Sequence, residues 1–540
     1  MLIGERLATT AARYPSHEAA ASGSERISWA VLDEWAHRGA AGLAALGVRP
    51  GQRVAILLPN SLAYLVAWHS ILRLGATAVP LNPRYQPDEL RYLLADSEAV
   101  AAIAFAPLLP AIAALRPALP SLRHVLGTSL GPLAPAAPET PPAAVAPRQD
   151  HSVIPFEQWL RDAPTGPRPW IEHPPVDADT PATCLYTAGT TGRPKGALLT
   201  HGGLLWNIDH LLQVFTAGPE DRFLCVLPMF HSYAQMACVV ATMAVGAALV
   251  LLPQFRPDAV MDAIRRERIT IFPAVPAYYG AMLAAAPRDT PVDLRPLRLA
   301  ITGGAAMPLP VLETLERRCG VLVLEGNGPT EAGPVAYVNP ERGPRKPGSV
   351  GPPIPGASVR IVDDLGRDLP EGDVGEVLVQ APSVMLGYLN RPAETSEALR
   401  DGWLHTGDLG RVDGDGYVFL VDRKTDLIIV GGLNVYPREV EDVLLRHPAV
   451  AEAAVVGIPD ERRGERVVAF VTPRRDLSIR PADVLKHCRT LLAPYKCPRL
   501  VLVVPELEKN AAGKVQKLRL RVLAQQHVAA RSPDGPTSPP

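Results

Sequence analysis

Apolar residues in this chain fall into short runs that alternate with stretches of helical spacing. A β-rich run over residues 53–59 leads into an apolar helix ending near Leu74. A second run at 77–81 and a third at 99–105 flank a helical pattern over 86–97. Short apolar strands alternating with helices are the rhythm of βαβ units. The rhythm resumes after residue 180, with runs at 183–186, 222–227, 248–252, 270–272, 297–302 and 321–324, each followed by loop and helix signals. Ligands are therefore expected at the carboxyl ends of these strands. At the N-terminus Ile3, Leu7 and Ala11 repeat at helical spacing but are interrupted by Glu5, Arg6 and Arg13, so no secretory h-region is read there. The longest apolar run, 17 residues from 236 to 252, is broken by Thr242 and Gly246. It is shorter than the ~20 residues that span a bilayer, and predicts a buried helix followed by a strand. A cytoplasmic, soluble protein without a transmembrane segment is expected.

The pattern changes twice. Residues 131–149, GPLAPAAPETPPAAVAPRQ, are too rich in proline for helix or sheet and predict an exposed connector. From Val350 short strands with Gly/Asp turns take over, and from about Thr425 a small α+β unit follows, with a helix at 437–447 and a strand at 452–456. The expected fold class is α/β: a large N-terminal domain of mixed βα-layered sheets plus a β-rich subdomain over 1–424, then a small α+β domain over 425–527. Residues 528–540 are expected to be a disordered tail. A length of 540 residues suits this division, being three or four times the ~150 of a typical domain.

Charge narrows the function classes. With 54 basic and 55 acidic residues the net charge is -1, which supplies no field for steering nucleic acid. Nucleic acid is thus excluded as a partner, and any anion site must be local. With 47% hydrophobic residues the chain can bury a sizeable core. The six cysteines show neither CxxC nor His-rich spacing, so they predict reduced thiols and no zinc site.

One segment offers such a local anion site: YTAGTTGRPKGALLTH at residues 186–201. Gly189, Gly192 and Gly196 tolerate unusual dihedrals, which lets several backbone amides point into one concavity. Thr187, Thr190 and Thr191 add hydroxyl donors and Lys195 adds a point charge. The pattern predicts a polyphosphate cradle between a strand and a helix. It is not a Walker A loop, because Gly196 follows Lys195 where Ser or Thr would be needed for magnesium.

Four further motifs follow in order: NGPTE at 327–331, GWLHTGD at 402–408, DRKTDLIIVGGLNVYP at 422–437 and NAAGKVQK at 510–517. Together the five resemble the signatures of the AMP-forming adenylating enzymes, the superfamily of acyl-CoA synthetases, adenylation domains and luciferases, across essentially the whole chain. The overall look is most similar to bacterial long-chain fatty acyl-CoA synthetases. The resemblance implies ATP, Mg2+ and coenzyme A as co-substrate, and a C-terminal domain that is mobile. It implies ATP contacts from Thr187, Gly189, Thr190, Thr191, Gly192, Lys195, Gly303, Gly304, Asn327, Gly328, Thr330, Asp408 and Arg423. Glu331 would be the magnesium ligand, a hard oxygen suited to that ion. Lys514 would carry a cation to the α-phosphate, with Lys195 and His231 as the other catalytic residues, although a core histidine would look the same at His231. Asp408 and Arg423 would hold the ribose. Thr425, Gly431 and Gly432 would form the hinge and the loop admitting coenzyme A. Three positions depart from the pattern: Ala188 replaces a usual serine, Asn327 an adenine-stacking aromatic, and Thr425 an Asp or Lys.

The implied reaction activates a carboxylic acid as acyl-AMP with release of pyrophosphate, then transfers the acyl group to coenzyme A. The stretches PMFHSYAQMACVVATMAVG, FPAVPAYYGAML and ITGGAAMP are apolar with few polar groups, which points to a medium or long fatty acid. An aryl acid of the coumarate type, a stand-alone enzyme loading a carrier protein, and a nucleotide-binding relic are the alternatives. Oligomeric state and any peripheral membrane contact stay open.

Overall fold

The computed structural model describes residues 1–131, 153–164, 176–187, 193–286, 293–460, 463–475, 477–509 and 515–529. The proline-rich connector from residue 132, and the expected tail from residue 530, lie outside the described residues; Val528 and Ala529, expected in that tail, instead end the helix Lys517–Ala529. By contact density the chain forms two units. The first comprises Met1–Val359, Leu378–Thr406 and Gly416–Val418, and the second Arg360–Val377, Gly407–Asp415 and Phe419–Pro540.

The first unit contains two eight-stranded sheets. One runs in the order Tyr337–Val338, Leu322–Asn327, Leu299–Thr302, Ile271–Ala274, Arg222–Cys225, Ala248–Leu251, Glu18–Ser22, Glu25–Ser28. The other runs Gly387–Tyr388, Lys195–Thr200, Pro181–Thr187, Thr77–Pro80, Arg53–Leu57, Ala101–Phe105, His124–Thr128, Ile154–Pro155. Parallel pairing prevails in both interiors, as the βαβ rhythm predicts, and antiparallel pairs sit toward the edges. The interior strands are buried on both faces and read as continuous apolar runs.

The helix Leu62–Leu74 is buried around nearly its whole circumference, which explains its lack of a polar face. Ser61 caps its start by accepting from the Tyr64 amide, and Gly75 at φ 82° ends it in the left-handed conformation. The apolar run from Met236 is a buried π-helix, Gln235–Val240, a short helix, Ala241–Val245, and the strand Ala248–Leu251. Among the described residues no helix is long and apolar enough to cross a membrane. All six cysteines are free.

A five-stranded sheet is built from Ser358–Val362, Gly375–Gln380, Trp403–Val412 and Leu399–Arg400, with Val418–Arg423 paired to Trp403–Val412. The second unit holds the sheet Leu433–Val435, Ile428–Val430, Gly464–Pro473, Val450–Asp460, with Leu500–Val503 beside Gly464–Pro473. The helices Pro437–Leu445 and Pro481–Leu491 pack on this sheet through Val440, Val443, Leu444, Val484 and Cys488. A separate apolar cluster on Lys517–Ala529 includes Leu520 and Ala524.

Candidate nucleotide site

The structure revises the local reading of the glycine-threonine motif. A strand rather than a helix follows Lys195: Lys195–Thr200 pairs antiparallel with Pro181–Thr187, and only then does the helix His201–Leu211 begin. Thr187 lies directly opposite Lys195, so hydroxyl and ammonium stand side by side on one face at the mouth of the hairpin. Gly196 is needed for a different reason from the one expected. It has no positive φ; a Cβ there would lie 2.6 Å from Cys184 Sγ and 3.3 Å from the Tyr186 ring. Its lack of a side chain makes room for packing. Ala188, Gly189, Thr190, Thr191 and Gly192 lie outside the described residues.

Both flanks of that loop are tied to one helix, Pro87–Asp96. Tyr186 donates its hydroxyl to Asp96 Oδ2 (2.8 Å), and Tyr92 donates to the Pro194 carbonyl (2.8 Å). Arg193 lies over the Tyr92 ring at 5.5 Å. Arg391 joins the two anchors, reaching Asp96 Oδ1 at 2.7 Å and Tyr92 Oη at 3.3 Å.

Glu331 meets the hairpin from the other sheet. It sits in the 3-10 turn Thr330–Ala332, which follows the strand ending at Asn327. Its Oε1 accepts from Thr187 Oγ1 (2.9 Å) and from the Tyr388 hydroxyl (3.0 Å). The turn is held by the neighbouring segment: the Met385 amide donates to the Glu331 carbonyl (2.8 Å) and Ser383 Oγ to the Ala332 carbonyl (2.7 Å). Gly333, at φ 85°, leaves no room for a Cβ beside Ser383.

The remaining residues of this half fall nearby. Ser232 and Thr330 hydroxyls are 2.9 Å apart, joining the loop of His231 to the Glu331 turn. His231 caps the short helix Ser232–Ala234, its Nδ1 accepting from the Tyr233 amide. A Cβ on Gly303 would come within 3.1 Å of the Gly326 carbonyl and 3.5 Å of the Tyr233 ring, and Gly304 has φ 79°. Asn327 Oδ1 accepts from the Gly328 amide at 2.7 Å, while Gly328 itself abuts Pro334 and Ala336 backbone atoms so closely that only glycine fits.

In the second unit, Asp408 and Arg423 are brought together as an ion pair at 3.1 Å. Thr425 is exposed, its carbonyl accepting from Arg521 at 3.1 Å. Gly431 and Gly432, at φ 61° and 80°, form the two-residue turn between Ile428–Val430 and Leu433–Val435. Two consecutive positive φ values define the hairpin turn that glycine pairs favour. Lys514 lies outside the described residues. Three residues on, Lys517 pairs with Glu441 at 2.9 Å. Burial works against the Lys517 charge, yet Glu441, Asp422 and Asp426 outweigh it and hold the ammonium on.

Magnesium can be tested against these groups. Among the described residues no cluster of three or more His, Cys, Asp or Glu could cage a metal. Among the described residues Glu331 Oε2 has no hydrogen-bond partner, so a hard carboxylate oxygen is available beside the hairpin. One such oxygen fits a magnesium ion whose other ligands are phosphate and water.

Comparison with known proteins decides the family. The model of the AMP-binding enzyme family matches residues 7–389, and that of the AMP-binding enzyme C-terminal domain matches 439–514. The chain belongs to the AMP-binding enzymes. A feruloyl-CoA synthase of Amycolatopsis is 38% identical over 94% of this chain and 96% of its own length. A long-chain-fatty-acid–CoA ligase of Bacillus subtilis is 33% identical over 95% and 93%. The crystal structure of an anthranilate CoA ligase with anthranoyl-AMP superposes with a TM-score of 0.88 at 29% identity, covering 98% of each chain. The two-part α/β fold expected from the sequence is thus the fold of adenylating enzymes.

Sequence reasoning missed the residues that assemble this AMP-binding enzyme's hairpin and turn: Asp96, Tyr92, Ser383, Tyr388 and Arg391. Their sole local signal is GYLNRP at 387–392, a glycine-aromatic pair before a turn, which does not by itself point to phosphate.

Proposed function

We propose that this chain is an ATP-dependent, AMP-forming acid–CoA ligase. The observation that carries the reading is the convergence of Thr187, Lys195 and Glu331, from motifs far apart in sequence, at one hairpin mouth. The substrate carboxylate attacks the α-phosphorus of ATP, the bond to the β-phosphate bridging oxygen breaks, and acyl-AMP and pyrophosphate form. The thiol of coenzyme A then attacks the acyl carbonyl and AMP leaves. A carboxylate is a weak nucleophile, so positioning and cations at the developing phosphate charge do most of the catalysis. Lys195 holds the triphosphate, Lys514 is assigned to the α-phosphate, and Asp408 with Arg423 to the ribose. His231 flanks the acyl carboxylate. Glu331 would hold magnesium, which would neutralise phosphate charge. The two domains divide between residues 424 and 425, with Thr425 as hinge and Gly431 and Gly432 on the side of coenzyme A.

For the acid, the apolar character of the segments around Met229, Met236 and Met307, all buried, supports a medium or long fatty acid. The feruloyl-CoA synthase relative at 38% identity favours an aryl acid as the second reading. AMP release measured with ATP, coenzyme A and a panel of fatty acids of graded length plus aryl acids tests both. Turnover confined to aryl acids removes the fatty-acid reading. AMP release with no acid in the panel removes the ligase reading itself.

A further inference from the structure

One aromatic ring, that of Tyr388, contacts both charged groups of the nucleotide site. The two-residue strand Gly387–Tyr388 pairs antiparallel with Lys195–Thr200, Tyr388 standing opposite Ala197. Lys195 is two residues along that strand, hence on the same face and diagonal to Tyr388. Its ammonium lies 4.4 Å from the centroid of the Tyr388 ring, within reach of a cation–π attraction. The hydroxyl at the far end of the same ring donates to Glu331 Oε1 at 3.0 Å. Among the described residues neither Lys195 nor Glu331 has an ion-pair partner. The backbone of Tyr388 is fixed as well, its amide donating to Thr395 Oγ1 at 2.9 Å, while a Cβ on Gly387 would strike Thr395 at 2.6 Å.

We infer that Tyr388 is a positioning residue: its ring and hydroxyl hold the Lys195 ammonium and the Glu331 carboxylate apart, each aimed into the site and neither neutralised by the other. The inference rests on the nucleotide-binding part of the reading above. Lysine has a long flexible stem, and a half-buried carboxylate within its reach is the natural partner for it. If the two paired directly, an incoming triphosphate would first have to break that contact, and the carboxylate would no longer be free for a divalent cation. The ring prevents this by occupying the space between them. It offers the cation a face that holds it weakly, and it offers the carboxylate a neutral donor. A cation held by a π-face is released to phosphate more readily than one held by a carboxylate.

Direct nucleotide binding by calorimetry on the full chain tests this, with ATP in EDTA and with MgATP, alongside thermal melts. Tyr388→Phe keeps the ring and drops the hydroxyl. It should bind metal-free ATP within about 3-fold of the parent and MgATP several-fold more weakly. Tyr388→Leu lets lysine and carboxylate meet, and should weaken metal-free ATP by about 10-fold or more, the scale on which charged contacts alter binding. Adding Glu331→Gln to Tyr388→Leu removes the competing carboxylate and should restore most of the metal-free affinity. A merely structural tyrosine would show no such rescue. Unaltered MgATP affinity in Tyr388→Phe overturns the inference, as does a Tyr388→Leu loss that Glu331→Gln leaves in place. If the parent chain binds no ATP at all, the nucleotide reading fails first and takes this inference with it, an outcome distinct from both.

Discussion

Lys195 and Lys514 carry the same charge but are assigned to different parts of the reaction, so single substitutions should separate them. Lys195 is set by sheet register, opposite Thr187 and over Tyr388, so its ammonium stands ready before any substrate arrives. Lys514 lies outside the described residues, three positions before Lys517, which pairs with Glu441. Lys514→Ala should abolish acid-dependent pyrophosphate exchange, yet leave thioester formation from supplied acyl-AMP largely intact. That split is expected of a cation needed only while phosphate charge builds up, and equal loss of both half-reactions would refute the role division. Lys195→Ala should instead raise the KM for ATP. A rise of 10-fold or more, about 1.4 kcal/mol for each factor of ten, is the expected scale, and steady-state kinetics in ATP would reveal an unchanged KM if the assignment is wrong.

At the scale of elements, the site is a hairpin, a turn, and the segment that stitches them together. Residues 383–388 hold the Glu331 turn through Ser383 and Met385, and hold the Lys195 strand through the pairs Gly387–Leu198 and Tyr388–Ala197. The helix Pro87–Asp96 and Arg391 anchor the hairpin loop at both flanks. Asp96→Ala removes the acceptor of Tyr186 and Arg391 together, so the Tyr186 flank of the hairpin should lose its anchor. The KM for ATP should rise by about 10-fold while kcat changes by less than about 3-fold, because the catalytic groups remain and only their preorganisation suffers. A kcat loss with KM unchanged would sink this account. The same elements show what the sequence could tell. The interior strands were legible because burial on both faces demands continuous apolar runs, and Lys195 and Glu331 were legible because their motifs are local. The strand Lys195–Thr200 was not, since its apolar stretch is only the three residues Ala197–Leu199, too short to show a period of two before the helix begins at His201. Tyr388 and Asp96 were invisible for another reason: their partners lie at residues 331 and 391, and only long-range pairing brings them into contact.

Across the molecule, the most deeply buried imidazoles described in the first unit, His69 and His201, are held neutral, and they should make its stability depend on acid. Burial, assisted by the Arg73 guanidinium, pushes His69 down to about 3. Arg73 is in turn ion-paired with Asp33. His69 sits in the helix Leu62–Leu74, edge-on to Trp68. Burial, assisted by the chain's N-terminal ammonium and opposed by Asp177, pushes His201 down to about 4. His201 Nδ1 accepts from the Ile3 amide. In the unfolded chain both would take up a proton below about pH 6.5, whereas the folded chain refuses it until much lower pH. The unfolded state thus binds more protons throughout that window. The contribution of these side chains is complete above about pH 6.5 and is lost progressively as pH falls toward their folded values. At pH 5 each should have given up about 2 kcal/mol relative to neutral pH. Urea melts at pH 7.5 and pH 5 measure the loss, and His69→Leu should shrink the difference between them by about half. Should that variant lose as much stability between the two pH values as its parent does, another group is responsible for the acid sensitivity.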